Sequence, residues 1–390
     1  MSAHSYRSNT KQAKKQIRSI RKEEEEEMDP STKSLVSESE AAPVRRYRIG
    51  YAFAPKKEQT FIQPSLLHHA SRYGIDFVPI SIPDSTTAAK TLIEQGPFDC
   101  IIHKIYGPHW NQHLKEYSSQ YPQTLILDPP ESIERLHNRV SMLDVFAAFE
   151  LKPRQSGDKF QSKISVPKQV LVDHYPEGEE EAKLLAALEF PVIAKPLLVN
   201  GSTKSHEMCL IFSPKGLRSL LADTNSPILL QQFANHGGVV FKGYAIGEHV
   251  QCVKRRSLPD ISKERVTALE EAVLPFSQIS NSANDEHNLA HDPHEMPPLE
   301  FVEEAAKRIR VGLKLNFFNF DMIRDSKDPN SYFVIDINYF PGYAKLPNYE
   351  HAFTDFLLNL LSTSSHPQKQ KELLQLKEEE GATCFESDVK

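Results

Sequence analysis

The stretch from Phe317 to Lys345 limits the fold most strongly, because its pattern is that of a β-hairpin with acids inside apolar strands. Its two arms, Phe317–Arg324 and Tyr332–Tyr339, are rich in aromatic and β-branched residues and flank the turn-forming run DSKDPNS. The second arm is almost continuously apolar, which is typical of a strand buried in the interior. The pattern therefore predicts two paired strands in the core of the protein.

Three polar residues of this hairpin, Asp321, Asp336 and Asn338, are candidate metal ligands. If the turn is symmetric, Asp321 and Asp336 face each other, and Asn338 lies on the same face as Asp336 because strand side chains alternate. Two carboxylates and an amide oxygen suit Mg²⁺, and acids inside apolar strands are unfavourable unless they are paired or bind metal. The pattern favours a metal site over the alternatives, a pair of solvated acids or an aspartate bonded to the turn.

Length and charge narrow the class of protein. At 390 residues the chain exceeds one ordinary core, so two or three subdomains are expected, and a net charge of −6 argues against a general nucleic-acid binder. The cysteines lie far apart with no CxxC pair, which fits a reducing compartment. No apolar run approaches the roughly 18 residues that a membrane span needs. We expect a monomer in the cytoplasm or nucleus that binds neither nucleic acid nor membrane.

The chain divides into three predicted units between two polar tails. Strands and helices alternate in the first unit, which ends in a predicted helix over Ile133–Glu150, so a parallel sheet covered by helices is expected. A Ser-, Asn-, His- and Pro-rich stretch in the third unit predicts a mobile loop. The predicted boundaries are a disordered tail at 1–46, the first unit at 47–150, the second at 151–238, the third at 239–365 with its loop at 260–298, and a polar tail at 366–390.

The second unit offers a candidate phosphate site. Lys195 ends the apolar strand PVIAKP, where it can act as a fixed charge for a phosphate, although a lysine at a sheet edge can also extend into solvent. The next segment, NGSTKSHEM, contains Gly201, Lys204 and His206, which suit a loop that closes over an anion. Neither of the two common glycine-rich nucleotide loops, the P-loop and the dinucleotide turn, occurs in the chain. A nucleotide site here must therefore use another architecture.

The junction between the second and third units is a candidate contact for a nucleotide base. Gln231, Gln232 and Phe233 lie where a strand leaves the second unit, and a hinge there can bind adenine through its backbone; a linker with one core phenylalanine is the alternative. Two predicted antiparallel strands follow, and they carry Lys242 and the run Lys254–Arg256. Cations beside a metal site suit polyphosphate chemistry, although a surface charge run is the simpler interpretation.

Cations of the first unit indicate a substrate with several phosphates. Lys57 follows the first predicted strand, Lys104 lies late in the third, and Arg139 follows within LHNRVSM. Ligands of open parallel sheets gather at the carboxyl ends of the strands. Each lysine alone is most simply a solvated side chain, but one phosphate does not need this many cations. The set therefore favours a polyphosphate substrate.

Nine segments match one known family in order: IGYAFAPKKEQTFIQPSL, GPFDCIIHKIYG, DPPESIERLHNRVSML, VIAKPL, GSTKSHEM, QQFANHGGVVFK, VKRRSLPD, FNFDMIRD and VIDINYFPGYAK. Over residues 47–360 the chain resembles the plant-type inositol-tetrakisphosphate 1-kinases, also called inositol 1,3,4-trisphosphate 5/6-kinases, of the ATP-grasp fold. The resemblance implies an α/β chain in which an N-terminal parallel-sheet α/β domain is followed by two α+β ATP-grasp subdomains.

The same resemblance implies roles for the candidate residues. ATP is expected between the second and third units, two Mg²⁺ at the hairpin, and the inositol polyphosphate beside the first unit. Nucleotide contacts are expected from Arg139, Lys195, Gln231, Gln232, Phe233, Lys242 and Ser257, and metal contacts from Asp321, Asp336 and Asn338. Substrate contacts are expected from Lys57, Lys104, His206, Lys242, Asn338, Gly342 and Lys345. The catalytic set is His206, Lys242 and Asp336, in which His206 is a phosphate ligand first and no residue stands out as a general base.

The implied activity is transfer of the ATP γ-phosphate to a hydroxyl of an inositol phosphate. It includes 1-kinase activity on inositol 3,4,5,6-tetrakisphosphate and 5/6-kinase activity on inositol 1,3,4-trisphosphate, in inositol phosphate and phytate metabolism. Two alternatives stay open at the level of sequence. One is an ATP-grasp ligase that joins a carboxylate to an amine, and the other is a protein that binds inositol phosphates without catalysis.

Overall fold

The computed structural model describes residues 46–82, 90–146, 162–199, 207–222, 226–269, 273–276 and 295–364, all within one compact unit that begins at Arg46. The predicted tails at 1–46 and 366–390 lie outside the described residues except for residue 46, and so does the segment 200–206 with its candidate His206. Within the described ranges, no helix combines the length and the apolar character that crossing a membrane requires.

The strands, in chain order, are β1 (Tyr47–Ala52), β2 (Ile75–Pro79), β3 (Cys100–His103), β4 (Leu125–Leu127), β5 (Lys163–Ser165), β6 (Gln169–Val172), β7 (Val192–Pro196), β8 (Met208–Ile211), β9 (Ile228–Gln232), β10 (Val239–Ile246), β11 (His249–Arg256), β12 (Val273–Phe276), β13 (Phe317–Arg324) and β14 (Ser331–Tyr339). The helices are α1 (Pro55–Phe61), α2 (Pro64–Arg72), α3 (Leu92–Gln95), α4 (Pro108–Gln120), α5 (Pro130–Arg135), α6 (Glu179–Ala187), α7 (Pro214–Ala222), α8 (Lys263–Ala268), α9 (Leu299–Leu313) and α10 (Tyr349–Ser364).

The described strands form three sheets. The N-terminal sheet has the order β2-β1-β3-β4 and is parallel throughout, which confirms the prediction made from the alternating strands and helices. The central sheet has the order β12-β8-β7-β9-β6 and is antiparallel. The C-terminal sheet has the order β11-β10-β13-β14-β5, with the parallel pair β14–β5 at one edge.

The proposed unit boundaries do not coincide with the sheets at two strands. β5 precedes the central sheet in the chain but pairs with β14 in the C-terminal sheet. β12 lies beyond residue 239 but pairs with β8 in the central sheet. Each of these two sheets therefore contains one strand from the part of the chain assigned to the other. The unit boundaries at residues 150 and 238 stay a prediction.

The predicted loop at 260–298 contains regular structure, so this prediction was wrong for part of its length. Helix α8 begins after Ser262, whose side chain accepts a hydrogen bond from the backbone N–H of Arg265 and caps the helix. β12 then adds an edge strand to the central sheet. Both elements are short, at six and four residues, so neither is long enough to show a periodic pattern. Residues 277–294 lie outside the described part of the chain.

The predicted helix over Ile133–Glu150 was also wrong, because α5 ends at Arg135. Asn138 explains the interruption: its side-chain oxygen accepts hydrogen bonds from the backbone N–H groups of Val140 (2.9 Å) and Ser141 (3.3 Å). Such local bonds compete with helix formation. The backbone of Arg139 instead donates to the carbonyl of Leu197 at 3.0 Å, which attaches this segment to the central sheet.

An aromatic core joins the N-terminal sheet to the C-terminal sheet. Phe61 is fully buried, with its ring centroid 4.9 Å from those of both Phe340 and Phe353. Phe53 also packs on Phe340, with the ring centroids 5.0 Å apart. Phe61 ends α1, a helix that begins at a proline and was not predicted. This core places α1, the helix that contains Lys57, against the segment that follows the hairpin.

Replacement of Phe61 by alanine tests this joint core. Phe61→Ala should lower the free energy of unfolding by about 3–5 kcal/mol, because it removes a fully buried ring and leaves a cavity. Leu67→Ala on the next helix is the control, since Leu67 is 38% exposed and its loss should have an effect under about 1 kcal/mol. Urea denaturation of both variants measures the difference, and equal losses would contradict a joint core at Phe61.

Candidate active site

The hairpin carries its two acids face to face. Asp321 of β13 lies directly opposite Asp336 of β14, so the register expected from a symmetric turn is confirmed. Asn338 lies opposite Asn319, two residues further along the same pair of strands. A β-bulge follows Asp321, and bulges often redirect side chains near functional sites. The backbone therefore presents two carboxylates and two amides on one face of the sheet.

Asp321 is buried in a set of donors. It is 6% exposed, and Lys242 donates to both of its carboxylate oxygens, at 2.9 and 2.8 Å. The amide of Asn319 donates to the same carboxylate at 3.0 Å. Burial alone acts to lower the pKa of Lys242, but the carboxylate of Asp321 outweighs it and the pKa is raised. A solvated strand acid, one of the alternatives at the level of sequence, is therefore wrong for Asp321.

Asp336 joins the hairpin to Arg139. The guanidinium Nη1 of Arg139 lies 3.4 Å from Oδ1 of Asp336, and its Nε donates to the carbonyl of Pro196 at 3.0 Å. The amide of Asn338 donates to Oδ2 of Asp336 at 2.8 Å. Since that bond uses the amide nitrogen, the amide oxygen of Asn338 is left for another partner. Two carboxylates and one amide oxygen, all on one face, fit the donor set that a hard divalent cation requires.

Lys195 points into the protein rather than out of the sheet edge. Its ammonium donates to the side-chain oxygen of Gln231 at 2.6 Å and to the carbonyl of Ile335 at 3.3 Å. Burial, helped by the neighbouring charge of Arg139 and opposed by those of Asp336 and Asp321, lowers the pKa of Lys195 to about 8. The solvated-lysine interpretation is therefore wrong here. A buried ammonium beside the metal-site strand is a fixed charge that suits a phosphate.

A cleft opens between the central and C-terminal sheets at these charges. Its polar end holds Arg139, Lys195, Asp321 and Asp336. Gln231, Gln232, Phe233 and Ser257, which are candidate nucleotide contacts, also line it. Its other walls are apolar. These walls include side chains that sequence reasoning did not single out, namely Ile193, Met208, Leu258, Phe276 and Ile335. An apolar slot that leads to a cluster of charges suits a planar base with attached phosphates.

His236 is a further polar residue of this cleft that was not singled out. Its Nδ1 lies 2.7 Å from the carbonyl oxygen of Ala234, and its Nε2 lies 2.8 Å from the hydroxyl of Ser257. A carbonyl can only accept, so Nδ1 carries a proton, and in the neutral ring Nε2 accepts from Ser257. The string NHGG lies within a matched segment, but nothing in its spacing marked the histidine.

Lys57 and Lys104, the candidate substrate ligands of the first unit, contact the backbone at the end of β14 and directly after it. Lys104 donates to the carbonyls of Tyr339 (2.8 Å) and Phe340 (3.1 Å), and Lys57 donates to that of Pro341 at 2.5 Å. The ammonium of Lys57 also lies 4.6 Å from the ring centroid of Phe340. Gly342 and Lys345 follow in the same segment, and both are exposed. The structure therefore brings together Lys57, Lys104 and residues 338–345, while His206 lies outside the described residues.

Burial lowers the pKa of both lysines. It lowers the pKa of Lys57 to about 6, with a smaller contribution from the charge of Lys104. Burial also lowers the pKa of Lys104, to about 8. At neutral pH Lys57 is therefore largely uncharged in the free protein. An anion placed beside it would favour the charged form and restore the proton.

Comparisons with known proteins agree with this arrangement. The family model described as "Inositol 1,3,4-trisphosphate 5/6-kinase ATP-grasp domain" matches residues 158–359, and the one described as "Inositol 1,3,4-trisphosphate 5/6-kinase pre-ATP-grasp domain" matches residues 48–133. The chain is 48% identical to inositol-tetrakisphosphate 1-kinase 1 of Arabidopsis thaliana over 328 residues, which are 82% of this chain and 98% of that protein. It is 49% identical to inositol-tetrakisphosphate 1-kinase 2 of Glycine max over 337 residues, 85% of this chain and 100% of that protein.

Solved structures support the fold alone. The D-alanine–D-alanine ligase of Bacillus anthracis, solved in complex with ATP, is 13% identical and covers 84% of this chain and 99% of its own, with a TM-score of 0.51. The VanG D-Ala:D-Ser ligase of Enterococcus faecalis is 14% identical and covers 81% of this chain, with the same TM-score of 0.51. The predicted fold class, α/β with ATP-grasp subdomains, is confirmed by the family match and this likeness.

Proton uptake on binding tests the state of Lys57. At pH 7.5 an inositol polyphosphate should bind with uptake of about one proton more in the wild type than in Lys57→Met, because the free lysine has a lowered pKa that the anion raises. The sign follows: uptake means that affinity falls as pH rises through this range. Calorimetric titrations in two buffers of different ionisation enthalpy measure it. Equal uptake in both proteins would show that Lys57 is already charged before binding.

Proposed function

Since the chain belongs to the inositol 1,3,4-trisphosphate 5/6-kinase family of ATP-grasp proteins, we propose that it is an inositol polyphosphate kinase that uses ATP and two Mg²⁺. It transfers the γ-phosphate of ATP to a hydroxyl of an inositol tris- or tetrakisphosphate. The observation that carries the proposal is the placement of cations on both sides of one acidic hairpin. Arg139 and Lys195 lie on the side of the nucleotide cleft, and Lys57 and Lys104 lie on the side that follows β14.

The names of the relatives and of the family model indicate which phosphorylation reactions to expect. Those of Arabidopsis thaliana and Glycine max are both named inositol-tetrakisphosphate 1-kinases, and the matched family model names the 5/6-kinase reaction on inositol 1,3,4-trisphosphate. We propose both activities for this chain, with a place in inositol phosphate and phytate metabolism. A monomer in the cytoplasm or nucleus that binds neither nucleic acid nor membrane stays a prediction.

On the nucleotide side, the residues bind and orient the donor. The adenine is expected in the apolar part of the cleft near Phe233. The ribose is expected beside Ser257 and Gln232, which line the same cleft. Arg139 and Lys195 hold the phosphates by charge-assisted hydrogen bonds. Asp321, Asp336 and Asn338 would hold the magnesium ions, whose positive charge would offset that of the transferred phosphoryl group.

On the acceptor side, the residues place a hydroxyl in line with the γ-phosphate. Lys57, Lys104 and Lys345 bind the ring phosphates, and the space beside Gly342 is open to them, since a Cβ atom placed there would meet no other atom within 4 Å. Lys242, next to Asp321 at the centre of the site, stabilises charge on the transferred group. His206 is proposed as a further phosphate ligand. Phosphoryl transfer of this kind depends mostly on positioning and on charge neutralisation.

The ligase alternative shares the hairpin and the nucleotide cleft with a kinase. It differs on the acceptor side, where a carboxylate and an amine would not call for two partly buried lysines. The non-catalytic alternative does not explain why Asp321 and Asp336 face each other beside the cleft. Incubation with Mg²⁺-ATP and a panel of inositol phosphates, with the products resolved by isomer, tests the proposal. Phosphorylation of an inositol hydroxyl supports it, and ADP release that depends on an amino acid contradicts it.

Asp336→Asn tests the metal site. It should lower kcat/KM by roughly 10³-fold or more, because loss of a carboxylate ligand removes several kcal/mol of charge stabilisation in the transition state. The melting temperature should change little, since the amide can still bond to Asn338. Asp325→Asn, in the turn of the same hairpin, is the matched control and should keep full activity. Retained turnover in Asp336→Asn would remove Asp336 from the metal site.

Lys57→Met tests the assignment of the first unit to the acceptor. It should raise the KM for the inositol phosphate by roughly 10-fold or more and leave the KM for ATP within about twofold, because one charge-assisted hydrogen bond to a phosphate is lost. Lys56→Met, at the exposed neighbouring position, is the control. Initial-rate kinetics with each substrate varied in turn measure both constants. A larger rise in the KM for ATP would move Lys57 to the nucleotide site.

A further inference from the structure

We propose that Asp128 is a positioning residue, which sets the place of the acceptor lysines relative to the metal-binding hairpin. The inference rests on the proposed function, since it assumes that Lys57 and Lys104 bind the acceptor. Asp128 directly follows β4 in the first unit and is fully buried. None of the roles above uses it. Its hydrogen bonds nevertheless reach the start of β13, the end of β14 and the end of β3.

The carboxylate of Asp128 holds the start of β13. Its Oδ2 accepts from the backbone N–H groups of Asn316 (2.7 Å) and Phe317 (3.0 Å), and its Oδ1 accepts from the side-chain amide of Asn316 at 2.7 Å. A buried carboxylate is unfavourable unless donors surround it, and these three bonds supply them. Asp321 lies on the strand that starts at Phe317. Asp128 of the first unit is therefore hydrogen-bonded to the metal-site strand at the first residue of that strand.

The backbone of Asp128 forms hydrogen bonds with β14, the other strand of the hairpin, and with β3, the strand before Lys104. Its N–H donates to the hydroxyl of Tyr339 at 2.9 Å, and Tyr339 directly follows Asn338. Its carbonyl lies 3.0 Å from Nε2 of His103, the residue before Lys104. The indole of Trp110 donates to Nδ1 of His103 at 3.1 Å, so Nε2 is the nitrogen that carries the proton and donates. One residue thus connects both metal-site strands to β3, the strand that directly precedes Lys104.

Directional bonds are needed here because the rest of this contact is apolar. The aromatic core around Phe61 and Phe340 holds the two sheets together, but apolar burial has no preferred direction. Three hydrogen bonds to one carboxylate fix both distance and angle. Small displacements of a reacting group can lower a rate by about 10²-fold. Loss of the Asp128 contacts should therefore disturb the acceptor more than the nucleotide, which binds on the other side of the hairpin.

Exchanging the aspartate and the asparagine at positions 128 and 316 distinguishes a positioning role of Asp128 from a contribution to stability alone. Asn316→Asp places two carboxylates against each other and should break the contact. In the double variant Asp128→Asn/Asn316→Asp, the oxygen of residue 128 can accept both backbone N–H groups while its amide donates to residue 316. Asp128→Asn alone should be close to wild type, since the amide of Asn316 can rotate to accept. The kinetics of all three variants are measured with inositol 1,3,4-trisphosphate and with ATP.

The expected result is a split between the two substrates. Asn316→Asp should raise the KM for the inositol phosphate about 10-fold and the KM for ATP less than about twofold. In the double variant, the KM for the inositol phosphate should return to within about threefold of the wild-type value. Tyr117→Phe is the control: it removes the hydroxyl that accepts from the buried N–H of Phe98 at 2.8 Å, a loss within the first unit. It should lower the melting temperature without changing either KM.

Other outcomes overturn the inference. Equal changes in both KM values, a fall in melting temperature alone, or no rescue in the double variant would each reduce Asp128 to a stabilising residue. If Asn316→Asp does not fold, Tyr339→Phe decides, because it removes only the bond to the backbone of Asp128 and should still raise the KM for the acceptor. Absence of turnover by the wild type on any inositol phosphate would overturn the proposed function, and this inference with it.

Discussion

Two carboxylates inside a nearly apolar hairpin are the constraint on which the rest of the site depends. Asp321 and Asp336 cannot stay ionised in the interior unless positive groups or metal ions lie beside them. Lys242 comes from the neighbouring strand of the same sheet, and Arg139 comes from the segment of the first unit that follows α5. Lys195 approaches from the central sheet. Charge balance at one hairpin thus requires all three parts of the chain to meet there.

This requirement explains why the cleft lies where it does. Arg139 and Lys195 also line the polar end of the nucleotide cleft, so the same two groups serve the free protein and the bound phosphates. Arg139 shows this most clearly, because its backbone bonds to Leu197, its Nε bonds to the carbonyl of Pro196 and its Nη1 reaches Asp336. Its position depends on the turn that Asn138 imposes after α5. A continuous helix there would not allow these bonds.

Prediction from the sequence succeeded where local pattern decides the structure. The facing acids follow from two apolar arms around a symmetric turn, and the parallel sheet follows from alternating strands and helices. It failed where a single side chain or a distant partner decides. The helix predicted over Ile133–Glu150 stops because of one asparagine, and β12 exists because β8 offers an edge to pair with. His236 and Asp128 carry no periodicity, since their importance comes from contacts across long stretches of chain.

The lysines of the site differ in what holds them, and this difference separates their roles. Lys242 is paired with a carboxylate, which keeps its ammonium charged in the free protein. Among the described residues, the side-chain nitrogens of Lys57 and Lys104 contact only neutral groups, namely backbone carbonyls and aromatic rings, and burial lowers the pKa of both lysines. A carbonyl is a weaker partner for an ammonium than a phosphate is. These two lysines can therefore transfer their bonds to an arriving anion without leaving a buried carboxylate unpaired, which Lys242 cannot do.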